Sequence, residues 1–189
     1  MAKQGFYYDQ TSCIGCKTCQ IACKDRNHLD VGTLFRRVET HERGTFPSPR
    51  VFHFAATCNH CANPACVSVC PTGAMFSDGT DGTVQHDDSM CIGCQYCVTA
   101  CPYGNPRYLM ALMVVHKCDA CIPLRTHAER PACVAACPMR ALEFGPLEEL
   151  RERHPDATDA LPSLPSPAYT QPSLLIDPNE AALLPAQTT

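Results

Sequence analysis

The stretch "CIGCQYCVTACP", residues 91 to 102, decides the fold of this chain. It places four cysteines within eleven positions and follows the last of them with Pro102. Proline has no backbone N–H to donate, so it helps to end the loop and turn the chain away. So many thiols in so short a loop indicate a binding site for a group that accepts several soft ligands.

The same arrangement recurs along the chain, which has sixteen cysteines in four groups of four. "CIGCKTCQIACK" at 13–24 resembles the opening stretch but lacks its proline, and "CNHCANPACVSVCPTGAM" at 58–75 resembles "CDACIPLRTHAERPACVAACPMRAL" at 118–142. Groups one and two therefore form a half of the chain that groups three and four repeat.

Three kinds of chemistry could use these thiols. Disulfides would place strained local bridges beside one another. Zinc sites usually take two C-x-x-C pairs separated by 12 to 20 residues, a spacing that only group four faintly imitates. A [4Fe-4S] cluster has iron corners on several sides, and C-x-x-C-x-x-C-x-x-x-C-P is the bacterial ferredoxin spacing, in which the fourth cysteine binds the other cluster of a pair. The spacing therefore favours iron-sulfur clusters.

Residues inside the loops allow more than one interpretation. Gly15 and Gly93 either let the backbone approach a cluster or serve as turn glycines. Ile14 and Ile92 are either apolar covers over the clusters or ordinary core residues, and both interpretations predict that they are buried. The sequence does not separate these alternatives.

Two histidines, His60 and His116, lie beside cysteines. Because sixteen thiols suffice for four clusters, we expect these histidines to have a supporting or structural role rather than to bind metal. The sequence has no nucleophile and base pair and no glycine-rich phosphate loop, so it predicts no catalytic residue.

Composition and charge exclude several classes of protein. The chain has 189 residues, a formal net charge of -4 and an isoelectric point near 6.0, with no basic block, which argues against nucleic acid as a ligand. The longest apolar run, "LMALMVV" at 109–115, is too short to cross a membrane. The N-terminus has neither a secretory signal nor a twin-arginine pair, so we expect any export to depend on a partner.

Short strands are predicted before the cysteine groups, at 5–9, 50–55 and 83–87. The stretch "RALEFGPLEELRERH" at 140–154 is expected to end in a short helix. Residues 155–189 contain seven of the 17 prolines and are predicted to form an extended tail that lies across a partner or, alternatively, is free and disordered.

At these residues the chain resembles the iron-sulfur subunit of the dimethyl sulfoxide reductase family of molybdopterin oxidoreductases. The phrases that resemble it include "CIGCKTCQIACKD", "CIGCQYCVTACPYGNPRY" and "CPMRALEFGPLEELR", within residues 4–154. The resemblance implies a small, loop-rich α+β fold with two bacterial-ferredoxin-like lobes, interleaved cysteine groups and an extended C-terminal tail. One lobe would contain groups one and four and consist of residues 1–50 with 104–154. The other lobe would contain groups two and three and consist of residues 51–103. The proline-rich tail would consist of residues 155–189.

The resemblance also implies four [4Fe-4S] clusters, each bound by cysteines from two groups. Cluster 1 would be bound by Cys13, Cys16, Cys19 and Cys137; cluster 2 by Cys23, Cys118, Cys121 and Cys133; cluster 3 by Cys58, Cys61, Cys66 and Cys101; and cluster 4 by Cys70, Cys91, Cys94 and Cys97. Some relatives lack the cysteine that corresponds to Cys94 and hold a three-iron cluster. Since Cys94 is present, four iron atoms are expected at every site.

The expected function is that of a non-catalytic electron-transfer subunit in anaerobic respiration. Its partners would be a molybdopterin catalytic subunit and a membrane anchor subunit that handles quinone. The membrane-associated complex would lie on the outer, periplasmic face, which the chain would reach by co-export with a partner. The cytoplasmic face is the alternative. A free-standing polyferredoxin carrier and a zinc-stapled interaction scaffold are the alternatives. One stretch departs from the family pattern: "YLMALMVVHKC" at 108–118 is either a buried strand or an apolar docking surface.

Overall fold

The computed structural model describes residues 2–184, which form a loop-rich α+β fold of short elements. The strands are β1 (Gln4–Asp9), β2 (Arg37–Arg43), β3 (Arg50–Ala56), β4 (Met75–Ser77), β5 (Val84–His86), β6 (Arg107–Leu109), β7 (Val114–His116), β8 (Leu142–Pro146) and β9 (Leu174–Asp177). The α-helices are α1 (Thr18–Arg26), α2 (Ala65–Ser68), α3 (Tyr96–Ala100), α4 (Ile122–Arg125), α5 (Ala132–Ala135) and α6 (Leu147–Arg153).

A three-stranded sheet in the order β8-β1-β9 forms the centre of the larger core. Strand β1 pairs antiparallel with β8 and parallel with β9, so that Phe6 lies opposite both Phe144 and Leu174. Both faces of β1 are buried, which explains its run of aromatic residues. The other strands form three two-stranded hairpins, β2-β3, β4-β5 and β6-β7.

The strands predicted at 5–9, 50–55 and 83–87 are confirmed as β1, β3 and β5, and the predicted short helix is α6. Leu147 and Leu150 of α6 are buried against Tyr7 and Leu175. The helix is therefore held by one apolar face that packs on the central sheet.

The described part of the tail is extended as expected and packs in part on its own chain, and its contact with a partner stays a prediction. Strand β9 is buried, and Thr158 forms a β-bridge with Ile176. The reason is the apolar segment at 174–176, which completes the edge of β1. Residues 185–189 lie outside the described residues.

Apolar side chains form two main cores. The larger contains Phe6, Phe35 and Leu142 with cysteines of groups one and four and Cys58. The smaller contains Met75, Val84 and Val115 with cysteines of groups two and three. The β6-β7 hairpin contributes Val115 to the smaller core, so it crosses the predicted lobe boundary at 103 and 104, and those boundaries stay a prediction.

The stretch at 108–118 combines both of its predicted alternatives. Val115 in β7 is buried, whereas Met110, Leu112 and Met113 at the hairpin tip are 82%, 59% and 71% exposed. The strand is therefore part of the core, and the tip is an exposed apolar surface. None of the helices between residues 2 and 184 has the length and apolar character of a bilayer-spanning segment.

Candidate metal centres

The cysteines lie in tight loops and on the short helices that follow them. Cys13 and Cys16 lie in the loop after β1, and Cys19 and Cys23 lie on α1, one helical turn apart. The third group repeats this arrangement around α3. In groups two, three and four the third cysteine lies on a short helix and the fourth lies just beyond the end of that helix.

The helices pack in pairs that join different cysteine groups. Helix α1 packs against α5, and α2 packs against α3. Groups one and four are therefore neighbours in space, as are groups two and three. This is the interleaving that the resemblance implies, and it results from the fold-back of the second half of the chain onto the first.

Three cavities of similar size are each lined by four cysteines. The first, with about 340 Å³ of empty space, is lined by Cys13, Cys16, Cys19 and Cys137. The second, with about 350 Å³, is lined by Cys58, Cys61, Cys66 and Cys101. The third, with about 290 Å³, is lined by Cys70, Cys91, Cys94 and Cys97. Each cavity thus brings together thiols from two groups.

The other four cysteines are buried and lie near one another. Cys23 is electrostatically coupled to Cys133 and Cys121, and Cys118 is coupled to Cys23 and Cys133. All four are less than a tenth exposed. They form a fourth set of thiols, enclosed more deeply than the other three.

The spacing of the sulfur atoms fits a group larger than one ion. Within residues 2–184, no three cysteine sulfurs all lie within 4.8 Å of one another. Two histidines and an aspartate form the only set of potential ligand atoms that is so close. Zn–S bonds of about 2.3 Å in a tetrahedron would place the sulfurs about 3.8 Å apart. All sixteen cysteines are also free of disulfide bonds. The donor set therefore fits a [4Fe-4S] cluster better than zinc or disulfides.

Hydrogen-bond donors point at several of the sulfur atoms. The backbone N–H groups of Met75 and Ala120 donate to Sγ of Cys70 and Cys118, respectively, each at 3.4 Å. Thr18 Oγ1 donates to Cys16 Sγ at 3.3 Å. Such bonds stabilise the thiolate form and raise the reduction potential of a bound cluster.

Several of the thiols are held in their neutral form when no metal is bound. Burial raises the pKa of Cys19 to about 11 and that of Cys23 and Cys66 to about 12. Metal ions bind thiolates, so loading these sites must release protons.

The two loop glycines are required by the backbone. Gly15 and Gly93 both have a φ of +67°, a left-handed conformation that other residues adopt only with strain. A Cβ atom would overlap the His53 ring at Gly15 and the Met113 carbonyl at Gly93. These contacts come from protein atoms, so they support the turn-glycine interpretation.

The burial predicted for Ile14 and Ile92 is wrong. Ile14 is 58% exposed and Ile92 is 67% exposed, although each lines a cysteine cavity. Both side chains lie at the rim of a loop that wraps around its cavity and project into solvent. They leave an apolar rim at two of the cavities.

The histidines beside cysteines have different environments. His60 is fully buried, its Nδ1 accepts a hydrogen bond from Val84 N at 3.1 Å, and its carbonyl accepts one from Ser173 Oγ. These contacts give His60 a structural role. His116 instead pairs with the carboxylate of Asp88 at 2.8 Å.

Sequence reasoning missed Arg36, which is 2% exposed and lies among cysteines of groups one and four. Its Nη1 donates to the Ala55 carbonyl at 3.0 Å, and its guanidinium lies 5.1 Å from the Phe6 ring centroid. Burial acts to lower the pKa of Arg36, but the thiolates, Cys133 foremost, outweigh it and raise the pKa above its ordinary value. No motif marks this residue, since "LFRRVET" gives no reason to expect a buried arginine.

Comparison with protein families identifies the cysteine pattern. Two profiles described as 4Fe-4S dicluster domains match residues 49–147 and 12–74. The chain is 40% identical over 193 residues to the B subunit of the anaerobic dimethyl sulfoxide reductase of Escherichia coli, covering 98% of this chain and 93% of that protein. The chain belongs to this iron-sulfur subunit family.

Two further relatives are similar to this chain. The B subunit of the anaerobic dimethyl sulfoxide reductase of Haemophilus influenzae is 40% identical over 198 residues, covering 100% of this chain and 96% of that protein. Protein NrfC of Escherichia coli is 38% identical over 149 residues, covering 78% of this chain and 67% of that protein. Two dicluster domains and sixteen cysteines fit four [4Fe-4S] clusters, and the two ferredoxin-like domains account for the α+β fold.

Proposed function

We propose that this chain relays single electrons through four [4Fe-4S] clusters between a membrane subunit that handles quinone and a molybdopterin catalytic subunit. The observation on which the proposal rests is that three cavities are each lined by four cysteines drawn from two groups. The chain itself would break no bond in the substrate. The terminal substrate would bind in the catalytic partner.

The proposed ligands of each cluster are the four cysteines of each set. They are Cys13, Cys16, Cys19 and Cys137 for cluster 1; Cys23, Cys118, Cys121 and Cys133 for cluster 2; Cys58, Cys61, Cys66 and Cys101 for cluster 3; and Cys70, Cys91, Cys94 and Cys97 for cluster 4. In this arrangement residues 1–50 with 104–154 hold clusters 1 and 2, and residues 51–103 supply the ligands of clusters 3 and 4.

The contacts between the sets support a linear order of four sites. The first and second sets are joined through α1, on which Cys19 and Cys23 lie one turn apart. The second and third are joined through the larger core, in which Cys118 and Cys58 both lie. Cys66 and Cys70, four positions apart in the α2 region, join the third and fourth. Each site then has a neighbour on its path, so electrons would pass along the order 1, 2, 3, 4.

When bound, the clusters supply one-electron oxidation and reduction. The residues around them exclude water by burial, donate hydrogen bonds to sulfur and, at Arg36, provide a buried positive charge. Burial, local charge and N–H···S bonds are the means by which a protein sets cluster potentials. Helices α1, α2, α3 and α5 position Cys19 and Cys23, Cys66, Cys97 and Cys133, respectively.

Apolar side chains are exposed at both ends of the proposed path. Ile14 and Met139 lie at the cavity of the first set, and Ile92, Tyr96 and Met113 lie near that of the fourth. Exposed apolar surface of this kind marks protein contacts. We assign the end at the first cysteine set to the molybdopterin subunit and the end at the fourth set to the membrane subunit. The complex would lie on the periplasmic face, which the chain would reach by co-export with a partner that has an export signal. A cytoplasmic facing is the alternative.

The number and type of metal sites can be measured directly. Protein purified without oxygen should contain about sixteen iron atoms and sixteen acid-labile sulfides per chain, with broad absorption that dithionite bleaches. Zinc with no colour would contradict the proposal. Purification in a stoichiometric complex distinguishes a fixed subunit from a free-standing polyferredoxin, which would be isolated alone.

The interleaving of groups gives a sharper test. Cys101 and Cys97 belong to the same sequence group, but Cys101 is assigned to cluster 3 and Cys97 to cluster 4. Cys101→Ser should therefore remove the electron paramagnetic resonance signal that Cys58→Ser removes, and Cys97→Ser should remove the one that Cys91→Ser removes. If Cys101→Ser and Cys91→Ser remove the same signal, the assignment is wrong.

A further inference from the structure

A second kind of ligand set lies outside the sixteen cysteines. It consists of His86 at the end of β5, Asp88 two residues later at the start of a 3₁₀ turn, and His116 at the end of β7. Asp88 Oδ1 lies 2.9 Å from His86 Nδ1 and 2.8 Å from His116 Nε2. One ligand atom from each residue lies within 4.8 Å of the other two, the only such group within residues 2–184.

Hydrogen bonds alone do not satisfy this group. If both imidazoles donate to Asp88, His86 has its proton on Nδ1, and its Nε2 must then accept a hydrogen bond. That Nε2 is buried and has no partner among the described residues. A doubly protonated His86 would likewise leave its Nε2–H without an acceptor. In every protonation state that uses hydrogen bonds to Asp88, one buried ring nitrogen of His86 is unsatisfied.

A metal ion on Nδ1 of His86 would take the place of the hydrogen bond to Asp88 at that nitrogen. It would fix the ring proton on Nε2, and metal-bound histidines usually donate their other N–H to an acceptor. His86 also lines the cavity of Cys70, Cys91, Cys94 and Cys97, although its Nε2 has no hydrogen-bond partner among the described residues. The ring thus separates two different ligand sets.

The surroundings leave room for an ion and for further ligands. The three residues line an open cavity of about 760 Å³, and the Asp88 side chain is 57% exposed. Lys117 also lines this cavity, but its ammonium group is held by the carbonyls of Val84 and Cys118. Asp119, another acidic group on the cavity wall, partly balances the cations there, which include Arg26.

We propose that His86, Asp88 and His116 bind one divalent first-row transition-metal ion of the Zn²⁺ type, in addition to the clusters. Two imidazoles and one carboxylate are a ligand set that such ions take, with at least one position left open for water. Ligand atoms about 2.0 to 2.2 Å from Zn²⁺ in a tetrahedron stand about 3.4 Å apart, so a small movement of the exposed Asp88 suffices. The site would join β5 to β7. It depends on no assignment of the electron path.

The test is a titration of the anaerobically purified, cluster-loaded protein with Zn²⁺ in a calorimeter. We expect one binding event per chain and an unchanged iron content. His116→Gln and Asp88→Asn should each weaken binding by more than about tenfold, since even the loss of a supporting partner of a ligand costs about 10- to 100-fold in affinity.

His154→Gln is the matched control, because His154 pairs with a single carboxylate, that of Glu143, at 3.0 Å. It should bind Zn²⁺ as the wild type does. Equal binding in the wild type, His116→Gln and Asp88→Asn would overturn the proposal, as would the absence of binding at micromolar Zn²⁺. If His116→Gln fails to load its clusters, the solvent-exposed Asp88→Asn variant decides between these outcomes.

Discussion

Replacing Arg36 with glutamine is expected to lower the reduction potentials of the clusters proposed for the first and second cysteine sets. The guanidinium is coupled to Cys133, Cys118 and Cys23 of the second set and to Cys19 of the first. Adding an electron to a cluster makes it more negative, and a nearby positive charge favours that step. Because three of the four coupled thiols belong to the second set, the larger change is expected there.

The size of the effect follows from Coulomb's law. At an effective dielectric constant of about 20, a unit charge that stands roughly 8 Å from a cluster would contribute about 2 kcal/mol. For a one-electron step this corresponds to a decrease of about 90 mV. Arg36 is almost fully buried, so the interaction is screened little by salt, and the shift should persist at high ionic strength.

The measurement is a redox titration monitored by electron paramagnetic resonance. Arg36→Lys keeps the positive charge and should retain most of the potential, whereas Arg50→Gln removes an arginine that is 55% exposed and should change nothing. Midpoints in Arg36→Gln within about 15 mV of the wild type would refute the electrostatic reasoning. An equal decrease in Arg36→Lys would show that packing, rather than charge, sets the potential.

Three further predictions concern stability. Leu150→Ala, at a fully buried position, should lower the free energy of unfolding by about 2 to 5 kcal/mol in denaturant titrations, whereas Leu183→Ala, at a site 51% exposed, should change it little. Gly93→Ala places a side chain at a φ of +67° and should lower the free energy of unfolding by at least about 1 to 2 kcal/mol. It should also shorten the lifetime of the cluster absorbance. Gly79→Ala, whose Cβ would meet no neighbour, should show neither effect. Asp81→Asn removes an ion pair in which Asp81 lies 2.8 Å from the guanidinium of Arg125 in α4. Partial burial acts to raise the pKa of Asp81, but hydrogen bonds and this ion pair outweigh it and hold the pKa below 3.8. The stabilisation by ionised Asp81 is therefore lost only below that pH, and the variant should be destabilised by a constant amount between pH 5 and 8.

Much of the architecture could be predicted because local signals determine it. The cysteine spacing predicts loops that end in helices, and Gly15 and Gly93 mark the left-handed turns in two of them. The aromatic run of β1 and the leucines of α6 follow simple periodicities. These features depend on residues that are close in sequence.

The rest depends on pairings between distant segments. Strand β9 has only four residues, and its place beside β1 is set by a partner about 170 positions away. The burial of Arg36 requires the thiols of the fourth group, and the meeting of His86 with His116 requires two separate hairpins to adjoin. The exposure of Ile14 shows the converse, since an apolar residue type gave the wrong expectation about burial.

The position of β9 beside β1 has a consequence for the order of events during synthesis. The ribosome adds about 5 to 20 residues per second, so the last strand of the central sheet emerges roughly 10 to 30 s after the first. Until then one edge of β1 has no parallel partner, and cysteines of groups one and four have only part of their cover. A chain truncated before residue 174 would therefore leave that edge of β1 unpaired and the larger core without Leu174 and Ile176.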